Sequence, residues 1–98
     1  MTFKLKFTAE AESALNTLRA DTGLEKRRKA VEKALGYLQT NPRHPGLQTH
    51  KNDDATGPGG EEGFEAYAEN NTPAAYRIFW CYGPDKGFIT ILSIVPHP

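Results

Sequence analysis

A chain of 98 residues with 12 Lys+Arg and 12 Asp+Glu has a formal net charge of zero and room for one domain at most, taken as residues 1–98. At 38% hydrophobic and 24% charged, with a mean hydropathy of −0.61, it is too apolar for a disordered chain and too polar for a membrane-embedded one. A domain of this size buries about 60–70% of its unfolded surface, so a site is expected on an open face or in a loop rather than in a wide cavity.

In chain order, Phe3, Leu5 and Phe7 alternate with Lys4 and Lys6, the period of a half-buried strand with a basic outer face. This stretch has neither an apolar leader core nor a spanning helix, so the protein is expected in the cytoplasm with no membrane partner. Thr8 reads as an N-cap, and Ala11, Ala14, Leu15 and Leu18 fall on one face of a first helix over 9–21. Thr22-Gly-Leu-Glu25 has capping-box spacing and predicts a second helix starting at once, with Leu24, Val31, Leu35 and Leu38 as its apolar stripe. Lys26-Arg-Arg-Lys29 and Lys33 lie mostly off that stripe, and Asn41-Pro42 ends the helix.

From Asn41 to Gly63 no periodicity survives, which predicts one long loop, functional or mobile. Its first half, Arg43 to Lys51, is basic and anchored by Leu47; its second, Asn52 to Glu62, is acidic, glycine-rich and expected to be less ordered. Strands follow over Phe64–Glu69, Tyr76–Tyr82 and Phe88–Val95, joined by turns at Asn70-Asn-Thr-Pro73 and Gly83-Pro-Asp-Lys-Gly87. The last strand is apolar on both faces and belongs inside the sheet. The order β-α-α-β-β-β implies an α+β two-layer sandwich: a helical hairpin on a mainly antiparallel four-stranded sheet with one face partly open.

The zero net charge divides unevenly. Residues 1–51 carry ten basic and five acidic side chains, or +5, and the remainder carry two and seven, or −5. Such a split marks either a face for nucleic acid or a protein partner, or merely a solvated helix face and acidic loops.

Arg77 interrupts a strand otherwise built of Tyr76, Ile78, Phe79 and Trp80. It must either pair with Glu65 or Glu69 on the neighbouring strand or recognise phosphate or carboxylate through its planar fork. His97, between Pro96 and Pro98, is suited to general acid–base work unless it is merely an exposed terminal residue. His44, His50, Lys51 and Arg43 in the basic loop suit cationic contact with phosphate; two histidines six apart with one distant cysteine do not make a zinc site. Of the aromatics Tyr67, Tyr76, Phe79, Trp80 and Tyr82, most are expected in the core and one or two on the open face, where they could stack on bases. Cys81, the single cysteine, excludes an internal disulfide and reads as buried and inert, and the sequon Asn70-Asn-Thr72 carries little weight without a secretion signal. No nucleophile elbow, phosphate-binding loop or Rossmann glycine pattern is present.

This arrangement resembles the RelE/ParE superfamily of bacterial type II toxins over nearly the whole chain. The resemblance rests on the short first strand, the charged helical hairpin, the loop His44-Pro-Gly-Leu-Gln-Thr-His-Lys51, the strand Tyr76-Arg-Ile-Phe-Trp80 and the closing Ile91-Leu-Ser-Ile-Val-Pro-His97. It implies a RelE-like fold and an mRNA interferase, an endoribonuclease that needs no metal or other cofactor, acts generally on the ribosome and is blocked by a cognate antitoxin. Arg77 would then clamp the scissile phosphate and His97 serve as general acid or base. Lys51, His50 and Arg43 would support the substrate, and Tyr67 or Phe79 would stack on a base. The competing class is a non-catalytic binding protein of the same fold, either a ParE-like DNA gyrase inhibitor or an inactive relative.

Overall fold

The first strand, β1 (Lys4–Phe7), passes straight into α1 (Ala9–Ala20) through Thr8. The Thr8 hydroxyl accepts the Ala11 N–H at 3.1 Å and donates to the Leu92 carbonyl at 2.8 Å, so one side chain both caps the helix and ties it to the strand that pairs with β1. These features are those of a computed structural model that describes residues 2–69, 72 and 74–97. The second helix, α2 (Glu25–Thr40), ends at Asn41 ahead of Pro42, as expected. Its start differs from the capping-box expectation. The Asp21 carboxylate accepts the Gly23 N–H at 2.9 Å and winds Thr22–Leu24 into a 3-10 turn. Leu24 then precedes α2 without a side-chain cap, two residues later than the Thr22 spacing implied.

The sheet has five strands among the described residues, not four. β2 (His50–Thr56), β3 (Glu62–Tyr67), β4 (Tyr76–Tyr82) and β5 (Phe88–Pro96) join β1 in the order β1-β5-β4-β3-β2. β1 runs parallel to β5; the other pairs are antiparallel. The additional strand, β2, lies inside the segment expected to be loop. It is an edge strand paired on one side and largely exposed, with an irregular register between Lys51 and Thr56, so its residues HKNDDAT carry no apolar alternation to betray it. Leu47 anchors the segment before it and is 1% exposed. β5 lies inside the sheet as its two-faced apolarity required. Asn70, Asn71 and Pro73 of the turn and sequon lie outside the described residues.

Both helices cover one face of the sheet. Ala11, Leu15 and Leu18 from α1 and Val31, Ala34, Leu35 and Leu38 from α2 pack on Ala66, Ile78, Trp80, Ile89, Ile91 and Ile94. The basic run on α2 is largely paired locally. Arg28 meets Glu32 at 2.7 Å, Lys29 meets Glu25 at 3.1 Å, and Arg27 bridges to Glu69 beyond β3. Among the described residues no helix is long and apolar enough to cross a membrane.

Candidate functional site

The alternation of β3 and β4 sends Phe64, Ala66, Ile78 and Trp80 under the helices and turns Glu65, Tyr67, Arg77 and Phe79 to the opposite, uncovered face. An extra residue in β5, Leu92, sits where the register jumps from Phe79–Ser93 to Trp80–Ile91. Leu92, Ser93, Arg77, Phe79 and Asn52 line a groove of about 590 Å3, closed at one end by Thr8 and Glu10 from the start of α1.

Glu65 organises this face. It is 4% exposed, yet its carboxylate accepts from Arg77 Nη1 at 2.9 Å and from Asn52 Nδ2 at 3.0 Å, and lies 3.1 Å from His50 Nε2. Burial opposes its charge, but the Arg77 and Asn52 hydrogen bonds, with the Arg77 and His50 charges, outweigh it and hold Glu65 below the usual carboxylate range. The Arg77 guanidinium lies 5.1 Å from the Phe79 ring centre, and its buried Nε has no hydrogen-bond partner among the described residues. The second His50 nitrogen, Nδ1, is 3.4 Å from the Gln48 carbonyl, so each ring nitrogen has an acceptor beside it. The His50 ring stands 5.8 Å from Tyr67.

The predicted site residues therefore divide. Arg77, His50, Tyr67 and Phe79 share the open face, and Arg77 makes the pairing with Glu65 that was its simplest expected role. His97 follows β5; its backbone N–H extends the ladder to the Ala75 carbonyl at 2.8 Å, in the row of Ser93 and Val95, but it does not line the groove. Lys51 is opposite Phe64 rather than Glu65, hence on the other face, where its ammonium is 3.7 Å from Glu62 and 3.9 Å from Asp53. Arg43 is exposed beyond the end of α2, also away from the groove, and His44 stacks on Tyr37 with centroids 3.9 Å apart. Cys81 is 1% exposed, and burial, with the nearby Glu61 charge, raises its thiol above the ordinary value. Sequence reasoning missed Glu65 as the hub and Asn52 as its second donor. The alternation around Phe64 and Ala66 placed Glu65 on the open face, but only the strand register brings His50 to it.

No protein-family profile matches the sequence, and no curated protein sequence matches it significantly. Solved structures do match. A chain of the archaeal RelE–RelB complex from Pyrococcus horikoshii is 18% identical with a TM-score of 0.66, over 98% of this chain and 96% of that one. The YoeB/ParE toxin from Agrobacterium tumefaciens is 6% identical with a TM-score of 0.69, over 98% and 100%. The YoeB dimer of Staphylococcus aureus is 14% identical with a TM-score of 0.65, over the full length of both chains. The fold is that of the RelE/ParE toxins. Within this RelE-like fold, the helix layer occupies one side of the sheet and the Glu65–Arg77–His50 cluster the other.

Proposed function

We propose that the protein is a toxin-type endoribonuclease that cleaves mRNA without a metal, on or off the ribosome, and is held inactive by a cognate antitoxin. The observation that carries the reading is the buried Glu65 carboxylate between Arg77 and His50 on the uncovered face of the sheet, beside the groove that Arg77 lines. Metal-independent cleavage needs a base for the ribose 2′-OH, a cation on the scissile phosphate and an acid for the leaving oxygen. Glu65 takes the 2′-OH proton. Arg77, with its unpartnered Nε, holds the phosphate as the 2′-oxygen attacks phosphorus. The P–O5′ bond then breaks to leave a 2′,3′-cyclic phosphate, and His50 or His97 gives a proton to the departing 5′-oxygen. Tyr67 and Phe79 flank the reacting nucleotide.

Expression of the protein without an antitoxin is expected to arrest growth and cut translated mRNA. Arg77→Ala and Glu65→Gln should each lower the cleavage rate by on the order of a hundredfold to a thousandfold. His50→Ala and His97→Ala, compared side by side, identify the acid. Full toxicity in both the Arg77 and Glu65 variants, with folding verified by circular dichroism, removes the catalytic reading. One observation favours the non-catalytic alternative: among the described residues, the groove is lined by Glu10 and Asp54 against one cation, Arg77, a balance suited to a protein partner. Gyrase-linked DNA breaks in place of mRNA cleavage would support that reading.

A further inference from the structure

A second cavity of about 380 Å3 lies on the helix side, where the connection from α2 to β2 passes over the aromatic row of β3 and β4. Phe64 stacks on Trp80 with centroids 4.9 Å apart, and Tyr82 stands edge-on to both. Tyr82 is 41% exposed, unusual for so large an apolar ring in this chain. Two buried polar atoms of lining residues, Trp80 Nε1 and Thr49 Oγ1, have no hydrogen-bond partner among the described residues, although Trp80 is 1% exposed. Folded proteins usually pair such groups with protein, ordered water or ligand, and since both atoms are shut off from solvent, a ligand acceptor meets them only when the lining shifts aside. Gln48, also on the lining, is held at φ 46°, a left-handed conformation that non-glycine residues adopt mainly where structure or function demands it. Among the described residues that line the cavity, Arg43 is the one side chain with a permanent charge, and none is a carboxylate.

Flat aromatic walls, donors without acceptors and a cation at the mouth complement a planar, acceptor-rich ring that carries an anion. We propose that this cavity is a nucleotide subsite that receives one base of single-stranded RNA. The base packs on Tyr82 and Phe64, its acceptors meet the Trp80 N–H and the Thr49 hydroxyl, and its phosphate lies at Arg43. An acidic peptide would use Arg43 but give the aromatic wall no stacking partner. The edge strand joins the two faces: His50 meets Glu65 on the uncovered face, and the next residue, Lys51, is opposite Phe64 on the cavity side. The subsite rests on the ribonuclease reading for the identity of the polymer, but its binding of a nucleotide requires no cleavage.

Trp80 is the sole tryptophan, so its fluorescence reports on the cavity directly. Titrating the full chain with AMP, GMP, CMP or UMP, and with a short single-stranded RNA, is expected to quench it. Tyr82→Ala should weaken binding roughly fivefold to a hundredfold, the range for loss of one base–aromatic stack. Thr49→Val should also weaken binding, and Arg43→Ala should erase the preference for a nucleotide over its nucleoside. Arg77→Ala, in the groove, should leave mononucleotide quenching unchanged. Quenching without any RNA cleavage keeps the subsite and removes the ribonuclease reading. Cleavage without quenching, or quenching indifferent to Tyr82→Ala and Arg43→Ala, overturns the subsite. Quenching by an acidic peptide but by no nucleotide overturns it too and makes the cavity a protein-docking site.

Discussion

Glu65 is a carboxylate kept charged in a place that opposes charge, and the partners that achieve this set how the fold responds to acid. Burial raises its pKa, but Arg77, Asn52 and His50 lower it further, so the folded value lies beneath the unfolded one of about 4.3. Its contribution to stability is therefore complete above that unfolded value and is lost as pH falls through the folded one. Arg77→Gln removes the largest of the lowering influences and leaves burial to dominate. Thermal midpoints followed from about pH 7 to pH 3 are expected to fall with acid in the parent chain, whereas in Arg77→Gln they start lower at pH 7 and fall less, because a carboxyl raised by burial favours folding once it is protonated. Parallel profiles would mean that Glu65 does not govern acid sensitivity. Arg77 was legible as a misfit among aromatics, because an arginine inside such a strand needs an anion. Glu65 was legible as one of its two possible partners, but the meeting of Glu65 with His50 was not, since it depends on how far β2 slides along β3, which no local pattern encodes.

At the scale of elements, the hairpin of β2 and β3 depends on a close backbone approach at Gly63. A Cβ there would come within 1.9 Å of the Ala55 carbonyl oxygen, a main-chain atom that cannot swing aside. Gly63→Ala should therefore displace β2 and destabilise the protein by about 1–3 kcal/mol, measurable by urea denaturation. It should also impair any activity that uses His50 or Asn52, which β2 carries. A melt equal to the parent's would show that β2 slips without cost. The contrast with β4 and β5 explains what was readable. Those strands are buried and bounded by Gly83 and Gly87, both at positive φ, so apolar runs and turn signals coincide. β2 meets water along most of its length, and its composition is that of a loop. The α1–α2 link failed for a different reason: two side chains, Asp21 and Thr22, were competent to cap, and Asp21 took the role first.

Over the whole molecule, the +5 and −5 halves of the sequence do not become two faces. Arg27, Arg28 and Lys29 are engaged by carboxylates on the helix layer, behind the sheet as seen from the groove. Association with single-stranded RNA should then depend only weakly on salt. Arg77 alone predicts a slope of about −0.7 in a plot of log affinity against log salt, and Arg77, Arg43 and Lys51 together predict roughly −2. Fluorescence anisotropy of a labelled oligonucleotide at several salt concentrations measures it. A slope steeper than about −4 would mean that the helix layer itself binds RNA.

β5 separates β1 from β4 although it follows every other element along the chain, and Thr8 reaches across to a carbonyl 84 residues away. During synthesis, β1 has no strand to pair with and β4 is paired only with β3 until residues 88–96 have left the ribosome. Closing so long a loop is a late event, and until it happens the helices have only part of the surface they pack on. Leu92 and Ser93, one wall of the groove, are missing for the same period. A chain whose β5 has not yet joined the sheet thus carries Arg77 and Glu65 without an assembled groove, and whatever chemistry the groove performs waits for that strand.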